Sequence, residues 1–567
     1  MNQNALQIYE RWLQSEIIDS QSKQELLKLR AHPEKIVELF GSELAFGTGG
    51  LRGIMGIGLN RMNIYTLRKT TQGLANYLIE NQKSDELKVV IAYDTRMYSR
   101  EFAEEAALVL AANGIQALVF PEPRPTPLLS FAVRELKCAA GVVITASHNP
   151  PEYNGYKVYG PDGAQIAAHF LDNLTLAIKQ VDILHTVKTI KKETAKTKGL
   201  LQILTSEIDQ KYLNKVRNLS QAKPKKKLKV VFTPLHGTGM SFIPTLLKES
   251  GYLDLFVVEE QAQPDPYFST VKIPNPESIS SFKLAFKLAC EKKANLIIAT
   301  DPDCDRLGCA IRVKDEYHFL TGNQIGALIL EYFLSQLKLK NKLPNNGVLI
   351  KTVVTNDLGK KIAAAYGIET LETLTGFKYI GEKIRNFEKT GKYTFLFGYE
   401  ESHGYLVDTF TRDKDANIAA LLLTELTAYY WEKGLNLLEV LEKLYQEHGY
   451  FAEDLISMEV QNQKMVSEIM SILKQEVPKA ASLQAVEKRD FELGKRYNLI
   501  TNEISELDFP QSKVLAYHYN DHSWFAFRPS GTEPKVKFYF SAIGKNQKEA
   551  EKKLENLKKT VLELIKG

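Results

Sequence analysis

Four times in this chain an apolar, strand-like run empties into a loop crowded with charged and hydroxyl side chains. The segments are AGVVITASHNPP from Ala140, NLIIATDPDCDR from Asn295, YTFLFGYEESHG from Tyr393 and WFAFRPSGTEPK from Trp524. In open α/β sheets, ligands collect beyond the carboxyl ends of the strands. Four such units at roughly domain-sized intervals predict four domains, each contributing one wall of a shared cleft. The length of 567 residues accommodates them, because about 100–200 residues per domain predicts about three to five.

Between these units the pattern alternates. Val89-Val-Ile-Ala92 ends at Asp94, a helical run starts near Phe102, and Ala117-Leu-Val-Phe120 ends in prolines, the rhythm of a sheet fed by crossover helices. The first 40 residues predict helices, with Leu6, Tyr9, Trp12 and Leu13 on one face and Leu26, Leu27 and Leu29 less tidily placed. A long helical stretch is predicted from Ile418 to Tyr445. The fold class is α/β, and the expected division is residues 1–215, 216–322, 323–447 and 448–567. The lysine-rich run Lys223 to Lys229 lacks interleaved aromatics and reads as a solvated linker or strand lead-in. A net charge of +5, from 73 basic against 68 acidic residues, is too balanced to make nucleic acid or membrane the main partner. Four cysteines in so long a chain make no disulfide framework, and there is no CxxC pair for zinc. The amino terminus has no basic stretch leading into an apolar signal core, and no apolar run approaches the ~20 residues that span a bilayer. A cytoplasmic protein is expected.

Asp301-Pro-Asp-Cys-Asp-Arg306 carries the strongest chemical signal. Carboxylates at alternate positions of a loop, in which Pro302 argues against a helix, can converge on one hard cation. An EF-hand would need Gly sixth and Glu twelfth, where this chain has Arg306 and Arg312. An aspartyl-phosphate phosphatase also begins with strand-then-DxD, and a turn cluster is the bland alternative. In Thr145-Ala-Ser-His-Asn-Pro150, Ser147 follows an apolar strand with His148 beside it and Lys157 within loop reach. This is no GxSxG elbow, so a hydroxyl that carries a phosphoryl group fits better than acyl transfer. Arg528-Pro-Ser-Gly-Thr-Glu-Pro-Lys535 offers a guanidinium, two hydroxyls and a glycine between two strands, furnishing for a phosphate as well as for a tight turn. The paired carboxylates Glu400 and Glu401, beside Ser402, could accept hydrogen bonds from sugar hydroxyls, or could begin a solvated helix. Lys414, in Arg412-Asp-Lys-Asp415, is either an ammonium beside an acidic loop or part of a surface salt-bridge cluster.

Together these loops resemble those of the α-D-phosphohexomutases, the superfamily of phosphoglucomutases and phosphomannomutases. TASHNP resembles the phosphoserine loop, DPDCDR the magnesium loop, YEESHG the sugar-selecting loop and RPSGTEPK the phosphate-binding loop, in the family's order. FGTGGLRGIMGIGLNRMN from Phe46, with its helical leader, resembles the longer branch that holds phosphoglucomutases and phosphopentomutases. Cys304 stands where alanine is usual, and Tyr399 and His403 replace commoner residues around the glutamate pair.

The resemblance implies three α/β domains of similar topology and a smaller C-terminal α+β domain around a central cleft. It implies one Mg²⁺ held by Asp301, Asp303, Asp305 and the phosphate on Ser147, and a distal clamp of Arg528, Ser530, Gly531 and Thr532. Arg306 would neutralise the transferring group; Lys157 and His148 are the candidate acids, and Lys414 the candidate base, which requires its pKa to be brought near neutrality. Glu400 and Ser402 would read ring hydroxyls, with Arg52, Thr375 and Lys378 completing the cationic walls. The implied reaction interconverts glucose 1-phosphate and glucose 6-phosphate through glucose 1,6-bisphosphate. Phosphopentomutase and phosphomannomutase activity are the alternatives within the family, and a metal-dependent phosphatase is the alternative outside it. Small sugar phosphates are the expected partners, in a monomer or homodimer.

Overall fold

Small and β-branched apolar residues fill Val89-Val-Ile-Ala92, and they form the middle of a strand, Lys88–Tyr93, buried on both faces. The computed structural model describes residues 3–47, 50–81, 86–166, 168–480, 483–530 and 535–566. Gly531 and Thr532 of the expected clamp lie outside the described residues, as do Thr48 and Gly49 of the glycine-rich segment.

In the first sheet the strand order is Leu51–Ile54, Tyr153–Tyr159, Ala140–Ile144, Lys88–Tyr93, Gln116–Val119, Leu201–Ile203. Gln116–Val119 and Ala140–Ile144 lie parallel to Lys88–Tyr93 on its two sides, so the winding reverses there and opens a crevice above the carboxyl ends. The second sheet repeats this: Leu253–Val257 and Leu296–Thr300 flank Leu228–Thr233 in parallel. So does the third, with Glu369–Thr373 and Thr394–Glu400 flanking Gly347–Thr352. In each, the next strand returns antiparallel: Tyr153–Tyr159, Leu307–Val313 and Gly404–Val407. The loops after Ile144, Thr300 and Glu400 thus leave the same topological position in three sheets. The C-terminal sheet is a seven-stranded antiparallel one, in which Trp524–Pro529 pairs with Lys535–Gly544. The helices Gln463–Gln475 and Gln547–Leu564 share its apolar core through Ile469, Leu473, Leu554 and Leu557.

One apolar core runs through the first three sheets, from Val90 through Phe232 and Ile298 to Ile350. At its centre lies the helix Ala416–Glu432, buried at every position from Ala416 to Ala428, the pattern of a helix with protein on all sides. The expected long helix from Ile418 to Tyr445 is two, Ala416–Glu432 and Leu437–His448. Gly434 takes a left-handed conformation, and Asn436 with Glu439 forms a capping box that starts the second helix.

The lysine-rich run behaves as the lead-in to Leu228–Thr233. It is pinned to the central helix: Glu432 accepts the N–H of Lys226 at 2.7 Å, and the Lys226 ammonium sits 4.6 Å from the Trp431 ring centre. Glu425, fully buried, accepts the N–H groups of Gln221 and Ala222 at 2.7 and 3.0 Å. In the leader, Tyr9, Trp12, Leu26 and Phe40 form a core of their own, whereas Leu27 is exposed. The four cysteines are free thiols. Among the described residues, no helix is long and apolar enough to cross a membrane.

Candidate active site

The four marked loops converge on one cleft of about 1040 Å³. Ser147 lies in the turn after Ala140–Ile144 with φ at 51°, a left-handed conformation that costs a non-glycine residue about 1–2 kcal/mol. The turn is held from below by the loop that follows the neighbouring strand. Asp94 accepts the hydroxyls of Thr145 and Ser99 at 2.6 and 2.7 Å, and Thr145 Oγ1 accepts the Ser147 N–H at 2.8 Å. The Arg96 guanidinium donates to the carbonyls of Ser147, Asn149 and Pro150, and it lies 5.0 Å from the Phe268 ring centre. Asp94 and Arg96 were not expected from the sequence. Their signal is the strand Lys88–Tyr93, whose carboxyl end adjoins that of Ala140–Ile144 at the switch point.

The Ser147 hydroxyl donates to Asp301 Oδ2 at 2.8 Å, which joins the serine loop to the acidic loop. Asp301, Asp303 and Asp305 are buried, with one oxygen of each within 4.8 Å of the others. Cys304 at φ 53° makes the turn that lets alternate carboxylates converge, and its own thiol faces Asn417 at 3.9 Å. Asp301 Oδ1 accepts the N–H groups of Asp305 and Arg306 at 3.1 and 3.0 Å. Lys157 donates to Asp303 Oδ2 at 2.8 Å, and Lys414 lies 3.0 Å from Asp305 Oδ2. The carboxylates therefore have lysine counter-ions from two other walls, and one of them, Lys414, is the ammonium that the sequence reading offered beside an acidic loop. The case for a cation rests on what is left over: Asp303 Oδ1 and Asp305 Oδ1 are buried without a hydrogen-bond partner among the described residues. Burial, then the charges of Asp305 and Asp303, pushes the Asp301 carboxyl well above the usual range; a divalent cation would reverse that. Asp303 is equally buried, yet the Lys157 ammonium holds it below the usual range. The donor set fits a hard, oxygen-liganded ion such as Mg²⁺.

Two expected proton carriers sit in surroundings that bear on their charge. Lys414 is buried, which alone would lower its pKa, but Asp305 and Asp413 overcome this and hold it as an ammonium, above the ordinary lysine value. That pairing opposes the neutral lysine a base requires for as long as no cation takes up the Asp305 charge. Lys414 is in no surface cluster, since Arg412, Asp413 and Asp415 are buried with it. Burial, and then the charges of Arg306 and Arg52, holds His148 well below its ordinary value, so its ring is neutral near pH 7 and is no imidazolium acid. Its Nδ1 is 3.3 Å from Ser147 Oγ.

Arg306 donates to Glu277 and, at 3.2 Å, to the carbonyl of Ser402. A bridge between Arg306 and Gly404, with the Leu307 N–H on the His403 carbonyl at 3.1 Å, ties the acidic loop to the sugar-loop segment. Glu400 ends a strand rather than starting a helix; it accepts the Gly376 N–H at 2.8 Å and so fixes Thr375 and Lys378 beside it. Thr375 Oγ1 is buried without a hydrogen-bond partner among the described residues. Burial lowers the Lys378 pKa, with Glu382 opposing. Burial, reinforced by Glu400, pushes the Glu401 carboxyl up to about 7, while Thr352 and Thr355 donate to it at 3.2 Å. The two departures around the glutamate pair, like Cys304, are not among the residues that line the cleft. Tyr399 is core, against Gly326 and Gly359, and His403 donates to the Leu307 carbonyl at 3.2 Å.

On the far wall Arg528 is paired across the hairpin with Lys537, which puts both cations on one face toward the cleft. Lys537 was missed, because alternation within Lys535–Gly544 shows two faces but not which one meets a cleft. The Ser530 N–H donates to the Lys535 carbonyl at 2.8 Å. Ser147, His148, Lys157, Arg306, Lys414, Arg52, Thr375, Lys378, Glu400, Ser402, Arg528 and Ser530 all line this one cleft, with Asp301 and Asp303 beneath it.

A buried serine on an acidic triad facing a pair of cations across a polar cleft, on three α/β units and a β-rich fourth, defines a phosphoryl-transfer enzyme. Models of the phosphoglucomutase/phosphomannomutase α/β/α domains I, II and III match residues 43–183, 210–314 and 321–448. A Staphylococcus haemolyticus phosphoglucomutase is 38% identical over 514 residues, covering 88% of this chain and 91% of its own. One from Staphylococcus aureus is 38% identical over 517 residues, covering 89% and 90%. The open form of parafusin, a phosphoglucomutase from Paramecium, shares the fold at a TM-score of 0.68 and 19% identity, over 93% of this chain and 95% of that one. A Burkholderia thailandensis member of the family does so at 0.66 and 19%, over 93% and 98%. The chain belongs to the phosphoglucomutase/phosphomannomutase family.

Proposed function

We propose that the protein is a phosphoglucomutase, interconverting α-D-glucose 1-phosphate and glucose 6-phosphate. The observation that carries the reading is the position of Ser147 Oγ, 2.8 Å from the Asp301 carboxylate, opposite Arg528 and Lys537 in the same cleft. The kinship with curated phosphoglucomutases chooses glucose among sugars. The cleft walls are assigned to residues 1–215, 216–322, 323–447 and 448–567.

Ser147 carries the travelling phosphoryl group. A phosphoserine brings about −1.5 to −2 charges, which the surroundings must neutralise. Asp301, Asp303 and Asp305, with the phosphate on Ser147, would hold Mg²⁺, which when bound supplies positive charge to the transferring group. Arg306 is placed beside the acidic loop to add to that charge, and Lys157 to return a proton to Ser147 Oγ as it leaves. Arg528, Lys537 and Ser530 grip the phosphate that is not reacting, with Gly531 and Thr532 assigned there by resemblance. Arg52 supports the serine loop through Asn149, 3.0 Å from its guanidinium. Glu400, Ser402, Thr375 and Lys378 face the sugar ring. The free sugar hydroxyl attacks phosphorus as the bond to Ser147 Oγ breaks, and Lys414 is assigned as the acceptor of the hydroxyl proton. The glucose 1,6-bisphosphate so formed turns around and returns its other phosphate to Ser147.

A coupled assay with glucose 1-phosphate, mannose 1-phosphate and ribose 1-phosphate tests this. Glucose 6-phosphate formed at the highest kcat/KM is expected. Inorganic phosphate without isomer would make the protein a phosphatase, and a ribose preference a phosphopentomutase.

A further inference from the structure

We propose that Glu277 is a positioning residue for Arg306, holding that guanidinium off the acidic triad and aimed at the cleft. The inference rests on the phosphoryl-transfer reading of the site. Glu277 belongs to a loop between the helix Glu259–Ala262 and the short helix Ile279–Phe282, remote along the chain from any strand end.

Three features build Glu277 into its place. Asn275 Oδ1 accepts the Glu277 N–H at 3.0 Å, and the Asn275 carbonyl accepts the Ser278 N–H at 3.1 Å, so the backbone is locked around it. The Pro276 carbonyl is pressed against Gly308 of the strand that leaves the acidic loop; a Cβ at Gly308 would lie 2.0 Å from it. Farther along the same loop, Phe268 packs beneath Arg96, the clasp of the serine turn. One segment thus touches the two guanidiniums that serve the serine and acidic loops.

Arg306 has a choice of anions. Its Nε is 3.8 Å from Asp305 Oδ1, an oxygen that is buried and otherwise unpartnered among the described residues. Guanidinium and carboxylate favour a forked, two-bond pairing, and a small rotation would bring it about. Such a pair would bury Arg306 in the triad and occupy an oxygen that a cation needs. Glu277 takes Nη1 on the opposite side, the Ser402 carbonyl accepts from the same nitrogen, and the guanidinium stays between the loops.

The test uses the full chain with Glu277→Gln, Arg306→Lys and the double variant, read by steady-state kinetics and by calorimetric titration with MgCl₂ alone. Losing one charge-assisted contact should lower kcat about tenfold, leave KM for glucose 1-phosphate within about twofold, and weaken Mg²⁺ binding about threefold. The double variant should be no worse than Arg306→Lys, because Glu277 acts through Arg306. Wild-type kcat and Mg²⁺ affinity in Glu277→Gln would overturn the proposal. Losses that simply add in the double variant would too, as would a loss of activity that tracks a lowered thermal midpoint. If the wild type does not isomerise sugar phosphates, the functional reading fails, and the Mg²⁺ titrations still decide whether Glu277 guards Asp305.

Discussion

Ser147, Cys304 and His403 are non-glycine residues with left-handed backbones, at φ 51°, 53° and 61°, one in each loop that leaves an α/β sheet. Each turns its loop back over the strand it came from, and what differs is the side chain left facing the cleft or the core. Cys304 faces the core, where burial and then Asp301 hold its thiol well above the ordinary value, so it is inert. Asp303→Asn keeps the shape of the acidic loop while removing ligand charge. Its Mg²⁺ requirement should rise by about tenfold or more, with KM for the sugar phosphate moving far less; a titration of rate against Mg²⁺ checks this. Glu401 gives a pH dependence. Its carboxyl titrates at about 7 in the folded chain against 4.5 ordinarily, so the folded state holds the proton longer than the unfolded one. The stabilisation from that bound proton is full below about 4.5 and is lost as pH rises to about 7. The midpoint of thermal unfolding should therefore fall across this window, and fall less in Glu401→Gln.

At the scale of elements, what could be read from the sequence was whatever a strand announces. Ser147, the aspartate triad, Glu400 and Arg528 each follow an apolar run; the first three leave the common switch point of the α/β sheets, whereas Arg528 lies in the antiparallel sheet and faces the same cleft. Asp94, Glu277 and Lys537 went unseen because their roles come from elements brought beside them by folding. Which acidic group faces Lys414 was hidden for the same reason: Asp305 is 3.0 Å away in space and belongs to another wall. The break in the predicted long helix was legible, since Gly434 and the Asn436–Glu439 cap both mark it. The docking of the C-terminal sheet was not. It rests on an apolar patch joining Val353, Val354 and Leu374 to Val514, Trp524 and Tyr539. Beside it the buried Lys351 lies 3.1 Å from both Asp357 and Glu372, and Arg489 reaches Glu372 at 2.9 Å. Lys351→Met would leave Asp357 without its lysine and Glu372 with Arg489 alone, a cost of about 1.5–3 kcal/mol for the lost charge-assisted contact. Hydrogen exchange should speed up at residues 353–354 and 514–516, and activity should fall because Arg528 is no longer held across from Ser147.

For the whole molecule, the shared core of three sheets fixes one end of the cleft and the docked fourth sheet carries the other. In the proposed reaction a bisphosphate intermediate would be gripped at the far end while it reorients. Arg528→Ala should lower kcat/KM by about ten- to a hundredfold, the worth of a charge-assisted contact of about 1.5–3 kcal/mol. It should also release more glucose 1,6-bisphosphate per product in single turnovers. Substitution of Glu400 should instead change which sugar is preferred.

The central claim is that Ser147 carries the phosphoryl group between the two positions of one sugar. Intact-protein mass after incubation with glucose 1,6-bisphosphate, measured beside turnover of glucose 1-phosphate, tests it most directly. The wild type should gain one phosphate and isomerise the sugar; Ser147→Ala should gain none and lose nearly all turnover. A Ser147→Ala chain that still becomes phosphorylated, or turns over like the wild type, would contradict the account.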